Sequence, residues 1–269
     1  LAVAADRLVV AAPDGRVMLP ETSLAVAAGE RVALMAPSGA GKTSLLAALA
    51  GLLAPASGTI TLGGIPLDET TAAALRRRIA FVGQSPHFER GSLRANLTLA
   101  RPEATADDLA AALALAACDF TDHLPRGLST RLGEGGHGLS GGERRRLALA
   151  RAALARAGLV LADEPTASLD AEAADAVRDG LLALAAGRTL IVATHDERLA
   201  AAMDRVIRLE GSAPPGCDPA ASDRAISHPA SSGPRGAPTS ADPDDRIPDM
   251  AIARGDNAMP AAKRREEAT

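Results

Sequence analysis

Tryptophan and tyrosine are absent from these 269 residues, and phenylalanine occurs three times. Any core must therefore be built from alanine, leucine and valine, within a hydrophobic content of 47%. Lysine is nearly absent too: of 29 Lys and Arg residues, two are lysines, Lys42 and Lys263. The two cysteines, Cys118 and Cys217, fit neither a metal-ligand spacing nor a disulfide framework, which suits a reducing cytosol. Cys118 ends the apolar run LAAALALAAC and reads as core packing. The five histidines show no paired metal spacing. No uncharged apolar run approaches the roughly 18–20 residues needed to span a bilayer, and no signal peptide is recognisable. A net charge of -4 gives no reason to expect nucleic acid as a partner.

What is present falls into two regions. Through about Glu210, apolar blocks alternate with Ala/Leu-rich helical patterns. From Ser212 to Thr269 there is no Leu, Val or Phe, and nine of the 18 prolines occur there, so 212–269 reads as a disordered Pro/Ala/Asp-rich tail. In the first region RVALMA, GTITL, RRIAFVG, LVLAD, RTLIVAT and DRVIRLE read as short buried strands. GKTSLLAALAGLL, TTAAALRR, ADDLAAALALAA, SGGERRRLALARAALA, AEAADAVRDGLLALAA and DERLAAAM read as helices. Alternating strands and helices predict an α/β fold with a mainly parallel sheet, whereas the first fifty residues predict antiparallel strands joined by turns.

The stretch APSGAGKTS (36–44) nearly spells the phosphate-binding loop G-x-x-x-x-G-K-[ST], with Ala36 at the first glycine position. It follows the strand RVALM and opens a helix, which is the context the motif requires. Ser38, Gly39, Ala40, Gly41, Lys42, Thr43 and Ser44 are thereby candidate nucleotide-binding residues. Glycines let backbone amides close on phosphate at a helix N-terminus, Lys42 reaches the outer phosphates, and the Thr43 hydroxyl is a candidate Mg²⁺ ligand. Ala36 is tolerable there if its backbone angle φ is negative. LVLADEP (159–165) is an apolar strand ending in two carboxylates on opposite faces. Asp163 is a candidate for holding Mg²⁺ and Glu164 for polarising attacking water.

GLSGGERRRLALARAAL (138–154) resembles the signature of ATP-binding cassette (ABC) ATPases, with Glu143 in place of the usual glutamine. The resemblance extends, in family order, to FVGQSPHFERGSLRANL (81–97) as the glutamine-loop segment, TASLD (166–170) as the D-loop and LIVATHD (190–196) as the switch-histidine strand. It implies a P-loop NTPase fold of the ABC ATPase type over 1–211, with a helical subdomain at about 85–157. It implies ATP and Mg²⁺ as ligands, with Glu164, His195 and Gln84 catalytic and Gln84 also meeting the metal. It implies further that Leu139, Ser140, Gly141, Gly142 and Glu143 complete the site of a second cassette in a head-to-tail dimer of identical or different chains. Ser168, Leu169 and Asp170 would form the D-loop of that arrangement.

LARPEATADDLAAALALA, LPRGLSTRLGEGGHGLSGGE and VGQSP look most like exporters whose membrane and nucleotide domains are fused, and among those like the thiol-reductant (cysteine/glutathione) exporters. A transmembrane domain is then expected upstream of Leu1, and the cytoplasmic face of the inner membrane as the location. The aromatic that stacks on adenine in such cassettes would fall near Ala12. Two alternatives stay open: a cassette ATPase outside transport, of DNA-repair or assembly type, and a degenerate cassette that binds nucleotide as a partner subunit.

Overall fold

The computed structural model describes residues 1–209. In chain order the strands are β1 Val3–Ala11, β2 Val17–Val26, β3 Arg31–Met35, β4 Ser57–Leu62, β5 Ile65–Pro66, β6 Ile79–Val82, β7 Gly91–Ser92, β8 Arg131–Leu132, β9 Leu159–Asp163, β10 Thr189–Ala193 and β11 Arg205–Arg208. The helices are α1 Lys42–Leu49, α2 Ala72–Arg76, α3 Leu93–Thr98, α4 Ala106–Leu115, α5 Gly141–Leu154, α6 Ala171–Leu184 and α7 Glu197–Ala201.

Two main sheets result. A five-stranded parallel sheet runs β11-β3-β10-β9-β6, and a four-stranded antiparallel sheet runs β2-β1-β4-β5. GTITL, expected among the buried strands, lies in the antiparallel sheet, where β4 pairs with β1 from Val3↔Leu62 to Val9↔Ser57. Short α3 and the β7-β8 pair are absent from the sequence expectations. Each has a local cause: the Ser92 hydroxyl caps α3 by accepting the Ala95 N–H, and two-residue strands carry no hydrophobic period to detect.

The parallel strands are covered on both faces, which explains why they read as continuous apolar runs rather than alternating ones. Along β9, Leu159 and Leu161 pack with α1 and the antiparallel sheet, while Val160 and Ala162 pack with α4, α5 and α6. The period of two thus divides one strand between two cores. Leu and Ala dominate both, and Phe88 is the one fully buried aromatic ring among the described residues. Alanine lets helices approach closely, and at Gly180 of α6 a Cβ would lie 2.7 Å from Leu149 Cδ2 and 2.8 Å from the Leu115 carbonyl. Cys118 belongs to the helical-side core, as expected; burial pushes its thiol up to about 12, which leaves it unreactive. Cys217 and the expected tail 212–269 lie outside the described residues.

The register positions the site. Ala193 of β10 pairs with Leu34 of β3 on one side and Asp163 of β9 on the other. The loop after β3, the end of β9 and the end of β10 therefore emerge side by side at the carboxyl edge of the parallel sheet, where open α/β sheets bind ligands.

Candidate nucleotide site

A pocket of about 670 Å³ opens at that edge, within the range of small-ligand sites. Loop residues 38–44 line it together with Gln84, Asp163, Glu164 and His195. Residues scattered over 158 positions of sequence are thus gathered around one cavity.

The loop curls because Gly39 and Gly41 adopt φ of 82° and 91°, a region that penalises a Cβ. At Gly41 a Cβ would also sit 2.5 Å from the Met18 carbonyl, so the loop packs tightly against β2. Ala36 is not among the residues of positive φ, so alanine stands there without strain, as expected. Its carbonyl accepts a hydrogen bond from Lys42 Nζ at 2.8 Å. No side chain caps α1, leaving the first-turn amides aimed into the pocket with no competing acceptor.

Lys42 is 8% exposed and stands among three partners: the Ala36 carbonyl, His195 Nε2 at 2.9 Å and Glu164 Oε1 at 3.8 Å. His195 Nε2 is 3.4 Å from the same Glu164 oxygen. Glu164 holds φ at 46°, its amide donating to the Ala193 carbonyl at 2.9 Å. Strained backbone of this kind persists only where its surroundings over-determine it. Asp163 is 2% exposed. Burial raises its pKa above the ordinary carboxylate value, while the Thr43 hydroxyl and the Lys42 charge pull it down.

This geometry suits a divalent cation. Asp163 Oδ1 is buried with no hydrogen-bond partner among the described residues, and the Thr43 side chain is near enough to lower the pKa of the same carboxylate. No group of three or more His, Cys, Asp or Glu side chains gathers among the described residues. A hydroxyl, one carboxylate and substrate phosphates are the donor set of a magnesium site, which keeps several waters and needs no all-protein cage. The residues present fit the group.

The signature residues lie elsewhere. Ser140, Gly141, Gly142 and Glu143 do not line this pocket. They open α5 in a capping box: Ser140 Oγ accepts the Glu143 N–H at 3.2 Å, and Glu143 Oε2 accepts the Ser140 N–H at 2.7 Å. Glutamate therefore satisfies the same local bonds a glutamine would. Leu139 packs partly into the helical-side core. The D-loop adjoins this helix start, since Leu169 Cδ2 lies 3.8 Å from a Cβ built on Gly142. Ser168 has φ of 57°, and Asp170 caps α6 by accepting the Ala173 N–H at 2.8 Å.

Three features escaped the sequence reading. Ala12 does not line the pocket; the wall beyond the phosphate loop is Arg16, Val17 and Met18, and Ala12 donates its N–H to the Arg16 carbonyl at 2.9 Å. Thr166 is buried and its hydroxyl donates to Asp196 Oδ2 at 3.1 Å, linking the end of β9 to the cap of α7. Arg145 donates through Nη1 to the Ala167 carbonyl and through Nη2 to the Gln84 carbonyl at 3.4 Å. Nothing in a run of three arginines distinguishes the middle one.

The family model described as ABC transporter matches residues 19–167. The chain belongs to the ABC transporter family. Its fold is that of the family's ATP-binding, ATP-hydrolysing domain. It is 41% identical over 202 residues to an ATP-dependent lipid A-core flippase of Ralstonia nicotianae, covering 74% of this chain and 34% of that protein. It is 40% identical to the mycobactin import ATP-binding/permease protein IrtB of Mycolicibacterium thermoresistibile, over 72% of this chain and 34% of the relative. It is 37% identical to the glutathione/L-cysteine transport system ATP-binding/permease protein CydD of Escherichia coli, over 72% and 33%. A bacterial Atm1-family ABC exporter solved with ATP bound superposes with a TM-score of 0.73 at 32% identity, covering 79% of this chain and 38% of that one. The chain thus spans about a third of the length of the curated relatives it matches. Among the described residues no helix is long and apolar enough to cross a membrane.

Proposed function

We propose that this ABC ATPase domain works in a head-to-tail pair of cassettes and powers an exporter whose transmembrane domain is fused upstream, at the cytoplasmic face of the inner membrane. The observation that carries the reading is a separation. The pocket holding Lys42, Gln84, Asp163, Glu164 and His195 contains none of the signature residues 139–143. A helix start offering the Ser140 hydroxyl proton and the amides of Gly141 and Gly142 then serves a nucleotide on another chain.

In that pair, the loop amides and Lys42 hold the phosphates, and Glu164 orients and activates the attacking water. His195 supports the terminal phosphate, and Gln84 reports its presence to the membrane domain. Leu169 lies beside Gly142, which supports placing the segment Ser168, Leu169 and Asp170 at the dimer seam. Thr43, Gln84 and Asp163 would hold Mg²⁺, which when bound supplies neutralisation of charge on the β- and γ-phosphate oxygens. The cassette spans 1–211 with its helical subdomain at about 85–157.

The narrower reading of the cargo is a thiol compound, cysteine or glutathione. Supporting it are the glutathione/L-cysteine transport names of the relatives from Escherichia coli and Haemophilus influenzae, at 37% and 38% identity. The flippase and mycobactin relatives match at 41% and 40%, so the ATPase domain supports no cargo exclusively.

The decisive experiment is Glu164→Gln. Phosphate release should fall about 100-fold or more, and the variant with ATP should elute as a stable dimer that disperses when ATP is removed. A variant that hydrolyses at the parent rate, or stays monomeric with ATP, overturns the reading.

A further inference from the structure

The described residues contain a further pocket, this one cationic and apart from the nucleotide pocket. It has a volume of about 180 Å³ and lies between the segment after α3, the start of α4, the end of α5 and the turn before β10. Arg101, Asp108, Arg156 and Arg188 line it over a floor that includes Ala112 and Leu154. One water needs only ~10–15 Å³ of accessible space, so there is room for a small polyatomic ion. Arg188 precedes β10 and His195 follows it. Seven residues at ~3.3 Å each separate the two by roughly 20 Å, at opposite ends of the strand.

The charges in this pocket do not balance. Asp108 commits both oxygens: Oδ1 to Arg156 Nη2 at 2.7 Å, and Oδ2 to the Thr105 N–H at 3.0 Å, with Arg101 Nη1 3.1 Å from Oδ2. Three guanidiniums therefore share one lining carboxylate. Glu103, 73% exposed, meets Arg101 Nε at 3.3 Å from the solvent side and still leaves one positive charge in excess. Despite the Asp108 contact, Arg101 Nη1 makes no hydrogen bond, and Arg188 Nη1 is likewise buried with no partner among the described residues. Burial first, and the neighbouring Arg156 charge second, disfavour the charged form of Arg188.

We propose that this pocket is a binding site for a phosphate group. Converging guanidinium forks match the tetrahedral oxyanion, whose several acceptor oxygens can answer donors from more than one arginine. The protein's own Asp108 carboxylate already bridges Arg156 and Arg101, one oxygen to each. The ligand neutralises the excess charge and supplies acceptors to the orphaned N–H groups. It ties the 99–105 segment and α4 to the N-terminal end of β10, whose other end carries His195.

The test uses the full 269-residue chain carrying Lys42→Ala, so that the nucleotide loop does not compete for phosphate. Inorganic phosphate is titrated against chloride at matched ionic strength, with amide NMR shifts and thermal melts as readouts. Saturable shifts should appear around Gly158 and Thr189, with a melting temperature raised by on the order of 5 °C at about 100-fold excess over Kd. Adding Arg188→Met should weaken phosphate binding about tenfold or more while leaving the phosphate-free melt unchanged or higher, since it removes a buried charge. Sedimentation with phosphatidic acid vesicles, against phosphatidylcholine vesicles, distinguishes a lipid headgroup from a free phosphate as the source. Binding to either that is lost with Arg188→Met supports the site. Shifts confined to residues 38–44, or a non-saturating stabilisation equal in both proteins from the general salt effect, would overturn it.

Discussion

Lys42 Nζ stands 2.9 Å from His195 Nε2. An ammonium can only donate, so this imidazole nitrogen accepts and the ring hydrogen is assigned to Nδ1. The lysine thereby bridges two strand ends, and a compact ammonium fits where a planar fork does not. In a chain whose basic positions are otherwise filled by arginine through residue 262, Lys42→Arg tests that requirement. Charge is retained, yet affinity for ATP should fall about 10- to 100-fold in a direct titration. Undiminished binding would mean that any cation suffices in this slot.

The buried Asp163 carboxylate costs the fold stability when ionised. Its folded pKa is raised, first by burial, so folding favours the protonated form. The shift is harmless below the ordinary carboxylate range and becomes a penalty as pH rises through the folded value. Asp163→Asn should therefore melt higher than the parent at pH 7, with the gain disappearing at pH 4 and below. Phosphate release by the same variant should fall about 100-fold or more. A melt depressed at pH 7 would show that the ionised carboxylate is net stabilising.

Much of this site was legible because its parts are local patterns. The strand–GAGKT–helix sequence fixes φ and amide direction within a few residues, and the apolar run ending in Asp163-Glu164 marks a buried strand edge. His195 and Gln84 were assignable only through their order relative to LSGGE. What stayed hidden depends on distant pairing. Arg16, Val17 and Met18 reach the pocket because β2 packs against Gly41, a contact no periodicity encodes. The place of β4 was likewise unreadable, since GTITL carries no mark of whether its partner runs parallel or antiparallel.

Arg145 illustrates that hidden class with a consequence. Its guanidinium joins the signature helix to the carbonyls of Gln84 and Ala167, spanning two motif segments without lining the pocket. It is a positioning residue: losing it lets the Gln84 segment drift while the phosphate loop stays intact. Arg145→Met should lower kcat about tenfold with KM for ATP within about twofold, because misplacement affects the reacting geometry more than binding. Arg145→Lys, with one point charge for two carbonyls, should recover the melting temperature but not kcat. A purely structural role predicts instead that kcat recovers along with stability.

The missing aromatics bear finally on nucleotide choice. Phe81, Phe88 and Phe120 are the only rings apart from histidine, and none lines the pocket. Beyond the loop a base would meet Arg16, Val17 and Met18, of which Val17 is 55% exposed. Val17 and Met18 offer no hydrogen bond to a base edge, the Arg16 guanidinium finds an N7 acceptor on either purine, and stacking on an aromatic, on the order of 1–3 kcal/mol, is forgone. Affinity should reside in the phosphates. ATP and GTP are then expected to bind within about threefold of each other, and tripolyphosphate to compete with both. Val17→Tyr supplies the ring and should tighten both nucleotides about tenfold while leaving tripolyphosphate unchanged, as measured by competitive titration. Strong preference of the parent for ATP over GTP would show that Arg16 or the neighbouring backbone recognises adenine after all.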